Sequence, residues 1–291
     1  MWTYCIIHPV LKDPTTDKRD PLNYRGITVT SSVYKAYCQI LNGRLTKWTE
    51  DNNIISDTQN GFRKHRSTID HLSSLTNIIE CRKKMGKSTY VAWVDFRKAY
   101  DKIPQRMLWD KLVNTYGIKG KMFNAIKSLY NDVQCSVNVN KHLTQWFNVT
   151  TGLKQGCLLS TTLFNLYIND LSELLNHSGL GVIINDRCIS HMFYADDLVI
   201  FAESEVDLQT QLNTLSNWCD INKMTINVDK TKVTHFRKPS TQRTNFAFTC
   251  GNSSIEVVER YRYLCLTIND TLDYNITAKL RRTVSIRIAD L

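Results

Sequence analysis

Two strongly apolar runs stand back to back late in the chain, separated by two adjacent acidic residues. The segment at 191–201 reads HMFYADDLVIF. Each run is short and rich in β-branched and aromatic residues, which predicts two buried strands joined by a turn over 192–202. Asp196 and Asp197 fall at the tip of that hairpin, so two like charges interrupt a segment that is otherwise suited to the protein interior.

Elsewhere, apolar residues spaced three or four apart alternate with short β-prone runs. The spacing predicts helices over 31–49, 67–85, 104–116, 119–131, 158–176 and 205–222. Strands are predicted over 90–94, 224–236, 245–250 and 261–268, with a hairpin over 133–149. Because strands and helices are interleaved without a regular βαβ repeat, the pattern favours an α+β fold.

Composition narrows the class of protein. The 291 residues are 42% hydrophobic, which is enough for a sizeable core in one large domain or two smaller ones. The net charge is +10, and residues 1–90 hold 14 basic against 8 acidic side chains. That local excess predicts a surface that faces a polyanion such as nucleic acid.

Cysteine usage and hydropathy indicate where such a protein resides. The nine cysteines are scattered, without a Cys-x-x-Cys motif or a Cys/His cluster. This predicts reduced thiols in an intracellular protein, nuclear or cytoplasmic, rather than a disulfide framework or a zinc site. No apolar run approaches the roughly 20 residues needed to span a bilayer, so no membrane partner is expected.

The Asp196–Asp197 pair allows two interpretations. Aspartate is a common turn residue, so the pair could mark a solvated turn. Adjacent carboxylates on a rigid turn could instead form half of a divalent-cation site, since Mg²⁺ takes one or two carboxylates together with substrate phosphates. Asp95, at the end of the predicted strand 90–94, is the candidate partner carboxylate. Asp101 is the other candidate, but it lies near the start of a helix and could cap it.

Seven segments resemble, in order, the motifs of the reverse transcriptase domain of non-LTR (LINE-type) retrotransposons. They read NYRGITVTSSVYKAYCQILNGRL at 23–45, TQNGFRKHRSTIDHL at 58–72, VAWVDFRKAYDKIP at 91–104, TGLKQGCLLSTTLFNLYINDL at 151–171, FYADDLVIF at 193–201, LSNWCDINKMTINVDKTKV at 215–233 and YRYLCLTI at 261–268. Each segment is weak evidence alone. Seven in the family's order, over most of the chain, identify the sequence as similar to that family.

The resemblance implies a right-hand polymerase of the α+β class. Its palm would be an antiparallel ferredoxin-like sheet with helices, joined to fingers, with the thumb largely absent. The fingers would cover 1–89, with 118–150 returning to or bordering them, and the palm 90–117 and 151–240. Residues 241–291 would hold the last motif and the start of a thumb. The intact element would carry an endonuclease domain, which is not expected in this chain.

The resemblance also implies the catalytic residues. Asp95, Asp196 and Asp197 would be the catalytic carboxylates and would hold two Mg²⁺ ions, with the Phe96 carbonyl as a further ligand; Mn²⁺ would serve as a substitute. Lys230 would be the general acid for the pyrophosphate leaving group. The alternative for Lys230 is an ordinary surface lysine.

Further residues would bind the incoming nucleotide by the same resemblance. Arg25 would grip the triphosphate, because a guanidinium fits phosphate oxygens bidentately and keeps its charge. Tyr100 would stack under the sugar and exclude a 2′-hydroxyl, unless it is a core tyrosine. Gln155 would touch the nucleotide, and Gly156 would permit close backbone approach.

A basic set completes the expected contacts. Lys12 would join Arg25 at the triphosphate, while Arg63 and Arg66, with Lys64 between them, would contact template or triphosphate. The alternative for all of them is a solvated charged surface. Two positions depart from the family pattern: Cys265 replaces the usual glycine after Tyr-Leu, and Thr161 replaces a proline.

The function implied is RNA-directed DNA synthesis, in which a DNA primer is extended on an RNA template with dNTPs. One alternative is a truncated or domesticated remnant that binds nucleic acid, including an RNA–DNA hybrid, with little or no catalysis. Another is an RNA-dependent RNA polymerase, which shares the palm. The aromatic ring at Tyr100 and the Tyr-Ala-Asp-Asp context argue against that second alternative.

Replacing Tyr100 by valine tests the sugar-discrimination role. Tyr100→Val should raise rNTP incorporation relative to dNTP by about 10- to 100-fold, the range typical of removing one steric exclusion. The measurement is single-nucleotide primer extension with matched rNTP and dNTP. Tyr100→Phe, which keeps the ring, is the control and should discriminate as the wild type does. Unchanged rNTP incorporation in the valine variant would assign Tyr100 to the core instead.

Overall fold

The computed structural model describes residues 3–272, and strands and helices alternate along them. The strands are β1 Tyr4–Leu11, β2 Tyr24–Val29, β3 Thr89–Val94, β4 Gln134–Val139, β5 His142–Leu143, β6 Phe147–Asn148, β7 Val182–Ile184, β8 Arg187–Ile189, β9 His191–Tyr194, β10 Asp197–Ala202, β11 Lys232–Phe236, β12 Phe248–Cys250, β13 Ser253–Val257, β14 Arg260–Tyr263 and β15 Leu266–Asn269. The helices are α1 Ser32–Asp51, α2 Thr68–Lys84, α3 Ala99–Lys102, α4 Gln105–Asp110, α5 Gly120–Ser128, α6 Leu158–His177 and α7 Glu205–Ile221. A π-helical turn at Lys111–Thr115 continues α4.

Most predicted elements form near their expected bounds, but several differ from the prediction. The predicted helix 104–116 begins at Gln105, with Pro104 at its N-cap, and changes from α-helix to a π-helical turn at Lys111. The strand expected over 224–236 is reduced to β11, and the strand expected over 261–268 is instead the hairpin of β14 and β15. The strands β7, β8 and β13 were not predicted. The pair β1 and β2 was not predicted: Pro9 lies inside β1, opposite Gly26, and a proline argues against a strand. Residues 273–291 of the predicted 241–291 segment lie outside the described residues.

The described chain divides into two compact units. The first comprises Met1–Ser56, Lys98–Asp170 and Asn222–Met224. Its sheet has the order β2-β1-β4-β5, with β6 also paired to β4. The β1–β4 pair is parallel and the other pairs are antiparallel. The hairpin predicted over 133–149 is thereby confirmed as β4 with β5 and β6.

The second unit comprises Asp57–Arg97, Leu171–Ile221 and residues 225–272. Its six-stranded sheet has the order β12-β13-β11-β3-β10-β9. Every pairing is antiparallel except β11 with β13. The strand β3 lies between β11 and β10, and all its residues but Tyr90 are buried. The hairpin predicted over 192–202 forms as β9 and β10.

The core of the second unit fixes β3 on both faces. Trp93 is 1% exposed and stacks on Tyr261 with ring centroids 5.0 Å apart. Its indole Nε1 donates to Thr234 Oγ1 at 2.9 Å, so the one polar atom of the ring has a partner. Because the Trp93 side chain is held in one orientation, it fixes the position of β3 and of Asp95, which follows the strand. Within residues 3–272, no helix is both long and apolar enough to cross a bilayer.

A tight turn joins β14 and β15, where Tyr263 pairs with Leu266. The two residues between them, Leu264 and Cys265, have φ values of 44° and 67°. This left-handed pair is typical of a two-residue hairpin turn, which favours glycine or asparagine. Cys265, which stands where the family usually has glycine, therefore carries backbone strain at an exposed position.

Two cysteine-to-glycine substitutions should change stability in opposite directions. Cys265→Gly should stabilise the protein by about 0.5–1 kcal/mol, since relief of the left-handed strain exceeds the entropy gained by the unfolded chain. Cys81→Gly, at an exposed position inside α2, should destabilise it by about 0.3 kcal/mol, the difference between the helix propensities of the two residues. Urea unfolding followed by circular dichroism measures both. A loss of stability in Cys265→Gly would contradict the assignment of strain to this turn.

Candidate active site

Strand pairing brings the predicted carboxylates to the same end of two neighbouring strands of the six-stranded sheet. The strands β3 and β10 are antiparallel, with Val94 opposite Leu198. Asp95 follows β3 directly and Asp197 is the first residue of β10, so both stand at the same end of the pair. In the β9–β10 hairpin Asp197 pairs with Tyr194, which leaves Ala195 and Asp196 as a two-residue turn.

The electrostatics of Asp197 reflect this crowding. Its pKa is raised to about 7: burial is the largest cause, the negative charges of Asp196 and Asp95 add to it, and the ammonium group of Lys230 opposes it. Three of the predicted catalytic side chains therefore act electrostatically on the fourth, Asp197, within the second unit. Where neighbouring negative charges raise the pKa of a carboxyl, a bound cation would stabilise its ionised form.

The backbone and side chain of Asp95 are held by the segment that follows α7. Asn227 donates from Nδ2 to Asp95 Oδ2 at 3.0 Å and from its backbone N–H to the Asp95 carbonyl at 2.8 Å. The Asp95 N–H donates to Thr231 Oγ1 at 3.2 Å. The Asn227 carbonyl also accepts from the Lys230 N–H at 3.1 Å, so one asparagine connects Asp95 to the turn that carries Lys230.

The Phe96 carbonyl lies beside the backbone hydrogen bonds that hold Asp95 but takes no part in them. Phe96 forms an isolated antiparallel bridge with Ile226. The two hydrogen bonds that flank this bridge run from Arg97 N–H to the Thr225 carbonyl and from Asn227 N–H to the Asp95 carbonyl. Neither uses the Phe96 carbonyl, which is consistent with its predicted role as a ligand.

The available donors are hard oxygen atoms, the kind that Mg²⁺ prefers. In the described range 3–272, no group of three or more His, Cys, Asp or Glu side chains is already arranged to hold a metal. Mg²⁺ is usually bound by one or two carboxylates, with water and substrate phosphates completing the coordination shell. The donor set of Asp95, Asp196 and Asp197 fits that mode of binding.

The turn residue Ala195 is itself strained. Its φ is +59°, in the left-handed region, which costs an alanine about 1–2 kcal/mol. Asn227 and Gln59, which contacts the Ala195 backbone, were not among the predicted site residues. Both belong to quoted motifs, but asparagine and glutamine are common there as turn and surface residues, so the sequence alone gave no reason to select them.

The predicted nucleotide-binding residues of the first unit lie on several elements. Arg25 is exposed on β2, opposite Val10 of β1. Lys12 follows β1, and its Nζ donates to the Leu22 carbonyl at 2.8 Å. The exposed guanidinium of Arg25 is available to a ligand, and its role at the triphosphate stays a prediction.

Gln155 and Gly156 form a turn against β2 and the segment after β3. Gln155 Nε2 donates to Asp101 Oδ1 at 2.8 Å, and the Gln155 carbonyl accepts from the Thr28 N–H at 2.7 Å. Gly156 has a φ of +104°, and a Cβ there would lie 3.2 Å from the Thr28 carbonyl oxygen. The backbone conformation therefore favours glycine at this position, and contact of Gln155 and Gly156 with a nucleotide stays a prediction.

Tyr100 packs against α6. Its ring stacks on Phe164 with centroids 4.6 Å apart and planes 14° from parallel. Its carbonyl accepts from the Leu153 N–H at 2.8 Å. Both the sugar-stacking role and the core role remain compatible with this contact, so discrimination by Tyr100 stays a prediction.

The basic group of the second motif is partly engaged within the second unit. Arg66 forms an ion pair with Asp57, and its hydrogen bonds lower the pKa of that carboxyl. Arg63 donates to the Gln59 carbonyl at 3.3 Å, and Lys64 is exposed. Template or triphosphate contact by Arg63 and Arg66 remains a prediction, and Arg66 would have to share its guanidinium with Asp57.

Comparison with known proteins decides the family. Residues 16–268 match the family model described as reverse transcriptase (RNA-dependent DNA polymerase). The chain belongs to the reverse transcriptase family. This reverse transcriptase chain is 28% identical over 216 residues to the Pol polyprotein of the type-1 retrotransposable element R2 of Popillia japonica, covering 74% of the chain and 30% of the relative.

Other relatives agree with the predicted non-LTR resemblance. The RNA-directed DNA polymerase from the mobile element jockey of Drosophila melanogaster is 21% identical over 281 residues, covering 93% of the chain and 29% of the relative. The chain thus spans about a third or less of these relatives. A solved apo telomerase from Candida tropicalis superposes with a TM-score of 0.64 at 13% identity, covering 94% of this chain and 54% of that one. The fold of the reverse transcriptase chain is therefore similar to that of telomerase.

Replacing Asp197, whose pKa is raised, should reduce the dependence of the protein's stability on pH. Because the folded-state pKa of Asp197 lies above its unfolded value, the native state binds more protons between about pH 4 and pH 7, and stability falls as the pH rises. Asp197→Asn should therefore be more stable than the wild type near pH 8 in EDTA, and the difference should shrink toward pH 4. Each kcal/mol corresponds to about 2–4 °C in Tm.

The control for this prediction is Asp186→Asn, in the exposed turn between β7 and β8. Its Tm profile should follow that of the wild type. Coincident profiles for Asp197→Asn and the wild type would mean that Asp197 is not under the repulsion described.

Proposed function

We propose that this chain is the fingers and palm portion of a non-LTR retrotransposon polymerase, which extends a DNA primer on an RNA template with dNTPs. The proposal rests on one observation: Asp95 and the Asp196–Asp197 turn lie at the same end of the β3–β10 pair. Membership of the reverse transcriptase family supports the same conclusion. On this proposal the six-stranded sheet of the second unit is the palm.

Asp95, Asp196 and Asp197, with the Phe96 carbonyl, are the groups that would hold the divalent metal. When bound there, Mg²⁺ would lower the pKa of the primer 3′-hydroxyl and stabilise charge on the leaving pyrophosphate. Binding of a cation would also relieve the repulsion that raises the pKa of Asp197. Mn²⁺, which accepts the same oxygen ligands, would substitute.

The remaining roles belong to the chain's own side chains. Asn227 fixes the carboxylate orientation of Asp95 through its Nδ2 hydrogen bond. Lys230, exposed on the turn that Asn227 organises, would donate a proton to the pyrophosphate.

The first unit would supply contacts to substrate on this proposal. Arg25 and Lys12 would pair with triphosphate oxygens, Gln155 and Gly156 would contact the nucleotide, and Tyr100 would discriminate the sugar. The basic excess of residues 1–90 supports binding to nucleic-acid phosphates. Solved telomerases of Candida with similar folds are described in complex with a fragment of telomeric RNA, and an RNA template for this chain is proposed by analogy.

Primer extension with Asp196→Asn tests the proposal. The variant should lose about 100- to 1000-fold in extension rate, because a neutral amide replaces a charged metal ligand worth several kcal/mol in the transition state. The measurement is extension of a DNA primer on an RNA template with dNTPs and Mg²⁺. Asp186→Asn, an exposed aspartate on another turn, is the matched control and should extend normally.

Two results would contradict the proposal. Extension by Asp196→Asn at the wild-type rate would contradict the assignment of Asp196 as a metal ligand. A wild-type chain that binds primer–template but never extends it would favour the alternative, a retroelement remnant that binds nucleic acid without catalysis. EDTA should abolish wild-type extension, and added Mg²⁺ should restore it.

A further inference from the structure

A short segment before α2 runs along the edge of the six-stranded sheet. It comprises residues 58–61, which read TQNG. The Phe193 N–H donates to the Thr58 carbonyl at 2.9 Å, and the Asn60 N–H donates to the Phe193 carbonyl at 2.8 Å. These bonds form a parallel bridge between Gln59 and Phe193, alongside β9, the last strand of the sheet. The segment therefore covers the outer side of the hairpin that carries Asp196 and Asp197.

The Gln59 side chain reaches the hairpin turn with both polar atoms of its amide. Oε1 accepts from the Ala195 N–H at 2.9 Å and from the Gly61 N–H at 2.8 Å. Nε2 donates to the Ala195 carbonyl at 3.1 Å. The residue is 3% exposed, so these bonds form away from water. The amide binds the donor and the acceptor of Ala195 together, as a neighbouring strand would.

Ala195 is the position where such restraint has the largest effect. Its φ of +59° is uncommon for alanine, and the residue immediately precedes Asp196. A return to an ordinary φ would rotate the peptide that leads into both carboxylates. Without the Gln59 amide, the buried N–H and C=O of Ala195 would lose these partners, and the strained conformation would lose its support.

Gly61 makes the close approach of the segment possible. A Cβ at this position would lie 2.1 Å from the Ala195 nitrogen and 2.7 Å from its Cα, both backbone atoms. No side chain fits at that distance. The glycine thus lets the chain approach closely enough for the Gln59 amide to bracket Ala195.

We propose that Gln59 is a positioning residue, which fixes Ala195 in its left-handed conformation and thereby sets the orientation of the Asp196–Asp197 pair toward divalent metal. The inference rests on the proposed polymerase function for its effect on catalysis. Its structural content concerns only the chain's own residues. Gln59 does not touch the carboxylates and acts on them through the turn.

Gln211 of α7 offers a matched control, because it contacts the same hairpin. It is also a buried glutamine, 0% exposed, and its Nε2 donates to the Phe201 carbonyl of β10 at 2.8 Å. Phe201 lies near the end of β10 that is remote from the turn. Both glutamines therefore support the hairpin backbone from a buried site, but only Gln59 contacts the residue beside the carboxylates.

The experiment compares Gln59→Met with Gln211→Met, substitutions that keep length and remove the amide. Three measurements are made on each full chain and on the wild type: Mn²⁺ affinity by electron paramagnetic resonance, kcat and KM for dNTP in primer extension, and hydrogen exchange of the Ala195 amide in protein labelled with ¹⁵N-alanine. Melting temperatures identify a temperature at which every variant is folded.

For Gln59→Met we expect a loss of about 10- to 100-fold in Mn²⁺ affinity and in kcat, the range found when a group that orients metal ligands is removed. The KM for dNTP should change little, since the nucleotide-binding residues are untouched. Exchange of the Ala195 amide should accelerate. Gln211→Met should keep wild-type metal affinity, kcat and Ala195 exchange even if its melting temperature falls as far.

Gln59→Asn provides a second test if the methionine variant does not fold. Its amide is one methylene too short to bracket Ala195, so the same three changes are expected. Metal affinity and Ala195 exchange in the Gln59 variants equal to those of Gln211→Met would overturn the inference. A wild-type chain that binds Mn²⁺ but does not extend primers would instead contradict the proposed function, and the inference would still be decided by Mn²⁺ affinity and amide exchange.

Discussion

Repulsion among three carboxylates is the constraint around which the second unit is organised. Asp95, Asp196 and Asp197 stand at one end of the β3–β10 pair, and the pKa of Asp197 is raised to about 7 by burial and by the other two charges. Left to local preferences, like charges on exposed turns would move apart into water. They stay together because the strands that deliver them are buried on both faces and cannot shift register without exposing apolar side chains. Hydrophobic burial thus holds in place a charge arrangement that is unfavourable by itself until a cation or a proton is bound.

The restraints act on each side of the cluster separately. On the Asp95 side, Trp93 fixes the strand through its stacking and its indole hydrogen bond, and Asn227 then orients the carboxylate. On the hairpin side, the segment 58–61 covers β9 and Gln59 brackets Ala195. Asn227 and Gln59 both act through neutral amides, the first on a carboxylate and the second on the backbone of the residue before Asp196. An amide can hold a carboxylate-bearing segment by hydrogen bonds without neutralising the charge that metal binding requires, whereas a lysine or arginine in the same place would compete with the metal.

The sequence predicted the parts of this site that depend on local pattern. Two apolar runs around Asp196 and Asp197 indicated the hairpin, and the buried run 90–94 placed Asp95 at a strand end; both predictions are confirmed by β9, β10 and β3. What local pattern could not supply is contact between distant segments. Gln59 is 136 residues from Ala195, and Asn227 is 132 from Asp95. A glutamine or an asparagine has no periodicity that marks it as buried, so its partner is visible only once the strands are paired. The missed strands β1 and β2 have the same cause, because their pairing overrides the signal of Pro9 against a strand.

Two turns of the second unit show why strain at Ala195 differs from strain elsewhere. Both Ala195 and Cys265 have left-handed backbones in two-residue hairpin turns, and neither is glycine. Cys265 is exposed, and the glycine usual in the family would fit its φ more easily. Ala195 is buried and bracketed by an amide on both of its backbone polar groups. Strain that persists only because the surroundings over-determine it is the kind found at functional sites. The orientation of the Asp196–Asp197 pair is therefore set from outside the turn, by a segment more than a hundred residues away in sequence, and the turn sequence alone does not determine it.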